Sequence, residues 1–135
     1  MPAEFSDRCD AIEECYEFML AYAGQGLPSD EGSQVREFLQ RAVNALTGLA
    51  ESCAKVVAEE RLEPAGKYQA FVTVLQRDAQ DSLAALELVL AQPAISSQLI
   101  DNLNASIHLR ALLTDLFLVR EILTTQHKPG QAVTR

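Results

Sequence analysis

Two sets of residues in this chain have the types and spacing for chemistry. Asp101, His108 and Asp115 recur every seven residues. On a continuous helix they would fall within about 20° of one angle, because 3.6 residues complete a turn. A histidine in line with carboxylates can pass a proton or carry a transferred group on its ring. His108 is the candidate working side chain, although no complete catalytic set surrounds it. The second set is Glu13, Glu14 and Glu17 in "IEECYEF". Carboxylates spaced within one helical turn can hold Mg²⁺. Cys9, Cys15 and Cys53 are an odd number of thiols at wide spacing, without a CxxC pair. They read as buried free thiols rather than a disulfide framework or a zinc site.

The EExxE pattern is similar to that of the all-α nucleotide pyrophosphohydrolases, whose helical acids hold Mg²⁺. That resemblance implies a second acidic motif on the next helix. Here "SQVREFLQRAVNAL" offers one acid at that distance. A helical wheel also puts Glu13, Glu14 and Glu17 opposite Ile12 and Cys15, on the solvent face. "SIHLRALLTDL" resembles the phosphoacceptor helices of two-component signalling, which implies an exposed histidine on a bundle. Histidine-kinase helices have an acid directly after the histidine and a proline soon after; Leu109 follows here. Phosphotransfer domains carry a lysine and a small residue downstream, where this chain has Leu112 and Leu113. The Glu-x-x-His pattern of ferritin-like di-metal bundles is absent. Ala105 stands three residues before His108, and His127 does not satisfy the pattern either. No metal and no cofactor are expected.

The elements that would position these residues are helices. The 135 residues are 48% hydrophobic and 22% charged, with six glycines and five prolines in clusters. That length suits one domain. Apolar residues at helical spacing give four segments, about 4–23, 30–62, 67–91 and 97–126. They are separated by "GQGLPSDEG", "EPAG" and "QPAIS", and followed by a flexible tail over 127–135. Ser96 is a candidate N-cap, with Ile95 placed to staple onto Ile100. Short connections predict an all-α, up-down-up-down antiparallel four-helix bundle of unequal helices, a single domain over 1–126. The net charge is −8 and no basic cluster exceeds a pair. Nucleic acid and membrane surfaces are therefore poor partners, and a cytoplasmic location is expected.

The fourth segment differs from the others. Leu109, Leu112, Leu116, Val119 and Leu123 make a 3-4-3-4 seam, with Ala111, Leu118 and Ile122 on one flank and Leu113 and Phe117 on the other. Arg110, Thr114 and Glu121 are its polar strip. Such an arc is wider than one bundle core requires. Asp101, Asn104 and His108 form a polar line that Asp115 extends into that arc. A buried carboxylate is costly unless it is paired or protonated. A symmetric antiparallel copy could bring His108 of one chain to Asp115 of the other. The expectation is a non-enzymatic interaction module, of accessory, adaptor or small-chaperone type, that binds itself and a further protein. Leu109, Leu112, Asp115, Leu116, Val119 and Leu123 would lie at or next to the self-interface. The alternatives are a signalling bundle with His108 as phosphoacceptor, and a small-ligand binder with an apolar pocket near His108 and Asp115.

Overall fold

The computed structural model describes residues 2–126. Among these the chain is all-helical, with six helices and no strand: α1 (Ala3–Ala23), α2 (Val35–Leu46), α3 (Leu49–Glu59), α4 (Ala65–Leu90), α5 (Ser97–Ala105) and α6 (Ile107–Gln126). The expected tail over 127–135, with His127, lies outside the described residues. No described helix is long and apolar enough to cross a membrane.

Two of the four expected helices are broken. The second segment splits into α2 and α3 at Thr47 and Gly48. Thr47 turns extended (ψ 110°), and Gly48 takes φ +88° at the start of α3. That left-handed conformation suits glycine, which has no Cβ to clash. A Cβ there would also lie 3.4 Å from the Arg8 guanidinium. Arg8 Nη1 donates to the carbonyls of Asn44, Ala45 and Thr47, at 3.1, 3.0 and 2.6 Å. These are the carbonyls a helix end leaves without an intrahelical donor. A side chain from α1 thus satisfies the end of α2. The same segment also starts at Val35 rather than near residue 30, because Asp30 is held elsewhere.

The fourth segment breaks at Ser106, whose ψ is 151°. The Ser106 hydroxyl donates to the Leu103 carbonyl at 2.7 Å. Ser and Asn compete for nearby backbone groups in this way, and so weaken a helix locally. The end of α3 is a Schellman turn. Arg61, at φ +53°, donates its N–H to Ala58, and Leu62 donates to Val57. The start of α5 follows the sequence: the Ser96 hydroxyl accepts from the Leu99 N–H at 3.0 Å, and Ile95 and Ile100 are fully buried.

One core runs through all six helices. Phe5, Cys9, Ile12, Cys15, Met19 and Tyr22 line the inner face of α1. They share this core with Leu39, Leu46, Leu49, Cys53 and Val56 of α2 and α3, and with Leu75, Leu86, Ile100, Leu112 and Leu116 of α4, α5 and α6. The neighbours are α1 with α2, α3 and α5, α4 with α2, α3 and α6, and short contacts between α2 and α3 and between α5 and α6.

A polar clasp closes one end. The buried Tyr22 hydroxyl donates to the Ile95 carbonyl at 2.6 Å and reaches the Ser29 carbonyl. Asp30 accepts the Ile95 N–H at 2.8 Å and pairs with Arg36 at 2.7 Å. Arg36 caps α4 by donating to the carbonyls of Leu90 and Gln92. Ser97 accepts from the Leu27 N–H and donates to the Tyr22 carbonyl. The loop after α1 is therefore tied to the α4–α5 connection by hydrogen bonds that leave few polar groups unpaired.

Candidate functional site

The expected line through Asp101, His108 and Asp115 does not exist as one helical face, because the break at Ser106 places Asp101 on α5 and the other two on α6. Asp101 is exposed, and Asn104 donates from Nδ2 to the Met19 carbonyl at 3.2 Å. His108 is half-buried and makes no hydrogen bond or ion pair among the described residues. Its ring has no carboxylate orienting it, which is what a proton-relay or phosphoacceptor histidine would use.

Asp115 meets Asp78 of α4 within its own chain. Both residues are half-buried. Asp115 Oδ2 is sealed from solvent, with no N–H or hydroxyl donor in reach. Two carboxyls can share a hydrogen bond only if one of them holds a proton. The Asp115 carboxyl is accordingly pushed up to about 7, first by burial and then by the hydrogen bond and negative charge of Asp78. Ser82, one turn beyond Asp78 on α4, is fully buried, and its hydroxyl also lacks a partner.

Asp78 escaped the sequence reading, although a signal was present. It lies seven residues after Phe71 and eleven before Val89, so it shares the inner face of α4 with both. An acid at that register is as anomalous as Asp115.

Beside this pair lies an apolar cleft of about 300 Å³, lined by Pro64, Lys67, Tyr68 and Phe71 from the start of α4 and by Leu118, Val119 and Ile122 from α6. Lys67 is its one charged residue. It begins on the helical turn after Asp115 and does not include His108. The arc of α6 divides cleanly. Leu109, Leu112, Leu116, Val119 and Leu123, with Leu113, are buried in their own chain. Ile107, Phe117, Leu118 and Ile122 are open, at 67, 60, 51 and 37% exposure. The described residues therefore leave one face of the wide apolar arc uncovered. Arg110, Thr114 and Glu121 are exposed between Phe117 and the other three.

The remaining candidates have structural partners. Glu14 and Glu17 are exposed, but Glu13 is not a free surface acid. It pairs with Arg120 of α6 at 2.9 Å, and Arg120 also reaches Asp10. Among the described residues no three His, Cys, Asp or Glu side chains gather as metal ligands. Cys9, Cys15 and Cys53 are buried and free. Burial pushes their thiols up, to about 12, 12 and 11, so the reactive thiolate form is suppressed. A longer open groove runs between α3 and α4 past Ala54 and Val72, edged by Gln69, Thr73, Gln76 and Gln80. Its charged edge residues are Glu51, Arg61 and Glu63. Comparisons with protein-family models, with curated proteins and with solved structures find no match to this chain.

Proposed function

We propose that this protein is a non-enzymatic interaction module of accessory, adaptor or small-chaperone type, and that its first partner is a second copy of itself. The observation that carries this reading is the open face of α6, where Leu118 and Ile122 line the Tyr68–Phe71 cleft and Ile107, about 16 Å nearer the start of the helix, lies within about 60° of them. Clustered apolar exposure next to a cleft marks an interaction surface more often than scattered apolar residues do. A 20-residue helix is about 30 Å long and 10 Å wide. One such face is about 300 Å², so the adjoining edge of α4 has to supply the larger share of the roughly 800 Å² per partner of a stable interface. The buried seam of Leu109, Leu112, Leu116, Val119 and Leu123 would sit directly behind this surface, with Asp115 at its edge. In this reading α1, α2–α3, α4 and α5–α6 act as the four antiparallel rods of an up-down-up-down bundle in the cytoplasm, and the pair presents acidic outer faces to a further protein. The test is the solution mass of the chain and of a variant with Leu118 and Ile122 changed to aspartate. A dimer lost in the variant supports the proposal.

A second reading is favoured by the cleft itself. Its lining is apolar apart from Lys67, which suits a small apolar ligand with an anionic end. A monomer that binds a fluorescent fatty acid, with loss of binding in Phe71→Asp, would favour this reading over the dimer.

A further inference from the structure

We infer that the Asp78–Asp115 pair is a proton-operated latch that holds α6 against α4, closed when one proton is shared and released when both carboxylates are ionised. The inference is independent of the dimer reading, because both residues belong to one chain.

The geometry requires some such device. α6 makes its most extensive helix packing with α4, and the two acids meet in that seam. None of the ion pairs among the described residues includes either aspartate. The charged groups on the surrounding elements do not supply a counter-charge: on α2 and α3, which also pack on α4, Arg36 is paired with Asp30, Arg41 lies over the Phe38 ring and Lys55 reaches Glu4. On α4, Arg77 and Asp81 are exposed, and Lys67 lies three turns away in the cleft lining. On α6, Arg110 is exposed, His108 is two turns earlier, and Arg120 is engaged with Asp10 and Glu13 of α1. α5, which also touches α6, brings the exposed Asp101. Two like charges in contact, one with an oxygen sealed from water, repel strongly when nothing opposes them. A single proton converts that repulsion into a hydrogen bond between the helices, and a carboxyl–carboxylate bond is of the stronger, charge-assisted kind.

The direction with pH follows from the raised Asp115 value. The folded chain holds this proton up to about pH 7, whereas an unfolded aspartate releases it near 3.8. Between those values the folded state binds more protons than the unfolded state. Stability therefore falls as pH rises through that window and levels off above about 7. The half of α6 beyond Asp115 carries Leu118, Val119 and Ile122, so release would loosen the α6 wall of the apolar cleft. Ionisation at neutral pH would thus act on the surface most open to a partner.

The experiment is a ¹³C-carboxyl NMR titration of the full chain, with thermal unfolding of wild type, Asp115→Asn and Asp78→Asn at pH 5.5 and 8. An apparent pKa above 6 for the coupled pair is expected. Wild type should lose about 4 °C or more of Tm between the two pH values relative to Asp115→Asn, whose amide donates to Asp78 at any pH. Carboxyls that both titrate near 4, or equal pH dependence in wild type and Asp115→Asn, would overturn the latch. So would a rise in Tm at pH 8 on adding Mg²⁺ or Ca²⁺ that EDTA reverses and both variants lack, since a cation would then bridge the pair. The NMR measurement needs no variant, so a substitution that fails to fold leaves the test intact.

Discussion

Arg8 of α1 sits against Gly48, the residue at which the expected second helix breaks. Its guanidinium lies 3.4 Å from where a Cβ at position 48 would stand, and it donates to three carbonyls at the end of α2. The break and its cap are one feature: the glycine opens the turn, and the arginine satisfies the exposed backbone.

Arg8→Met should therefore destabilise the fold by about 1–3 kcal/mol, because hydrogen bonds from a charged group are lost and helix-end carbonyls lose their donor. Glu4→Gln should change stability by less than about 1 kcal/mol, since the Arg8–Glu4 contact is a surface pair at 3.4 Å. Urea unfolding of both variants checks the contrast. Equal effects would mean that the ion pair, rather than the cap, matters.

The clasp at the other end gives a second prediction. Tyr22→Phe leaves the ring in place and removes only the hydroxyl, stranding the Ile95 carbonyl in a buried position. A loss of about 1–2 kcal/mol in urea unfolding is expected. Faster amide exchange in the 24–34 loop than in the middle of α1 would localise the damage to the clasp.

Stability should pass through a maximum in mildly acidic solution, because two aspartates act with opposite sign. The Asp30 carboxyl is held below its ordinary value, first by the Ile95 N–H and then by Arg36. Its contribution is present above the unfolded pKa and is lost as pH falls through the lower folded value. Asp115 acts the other way, costing stability as pH rises toward about 7. Asp30→Asn should remove part of the acid limb of a Tm-against-pH curve, and Asp115→Asn part of the neutral limb. The same curve in all three proteins would contradict both assignments.

Much of this was readable in the residues. The apolar spacing that marks α1 and α4, and the Ser96 cap with Ile95 and Ile100, depend on contacts within a few positions, and the structure has them. The breaks at Gly48 and Ser106 were not legible in the same way. Apolar periodicity runs on across each break, from Leu46 to Leu49 and from Leu103 to Ile107, so the pattern alone describes one long helix. What ends α2 is Arg8, some 40 positions away. The site was partly legible. Asp115 stood out because it enters an apolar arc, but its partner is on another helix, and a single-helix wheel cannot show that Asp78 faces it. The width of the arc was also visible, though not which side the chain would cover: Leu112, Leu116 and Val119 are closed, while Ile107, Leu118 and Ile122 are open.

If α6 presents its open face to a second copy, salt should strengthen the association. Each chain carries a net charge of −8, and like-charged partners repel less as the ionic atmosphere shortens the range of the field. Dimer affinity should rise by several-fold between about 0.05 and 0.5 M salt, measured by sedimentation velocity. A dimer held chiefly by ion pairs would weaken instead.

The most direct measurement for the interaction-module account is the solution mass by light scattering at micromolar concentration, for wild type and for the double variant Leu118→Asp, Ile122→Asp. Wild type is expected at about twice the 14.8 kDa chain mass and the variant at the single-chain mass, with helical content unchanged. A wild-type chain that stays at 14.8 kDa up to about 100 µM, well above the micromolar affinities of weak specific interfaces, would contradict it.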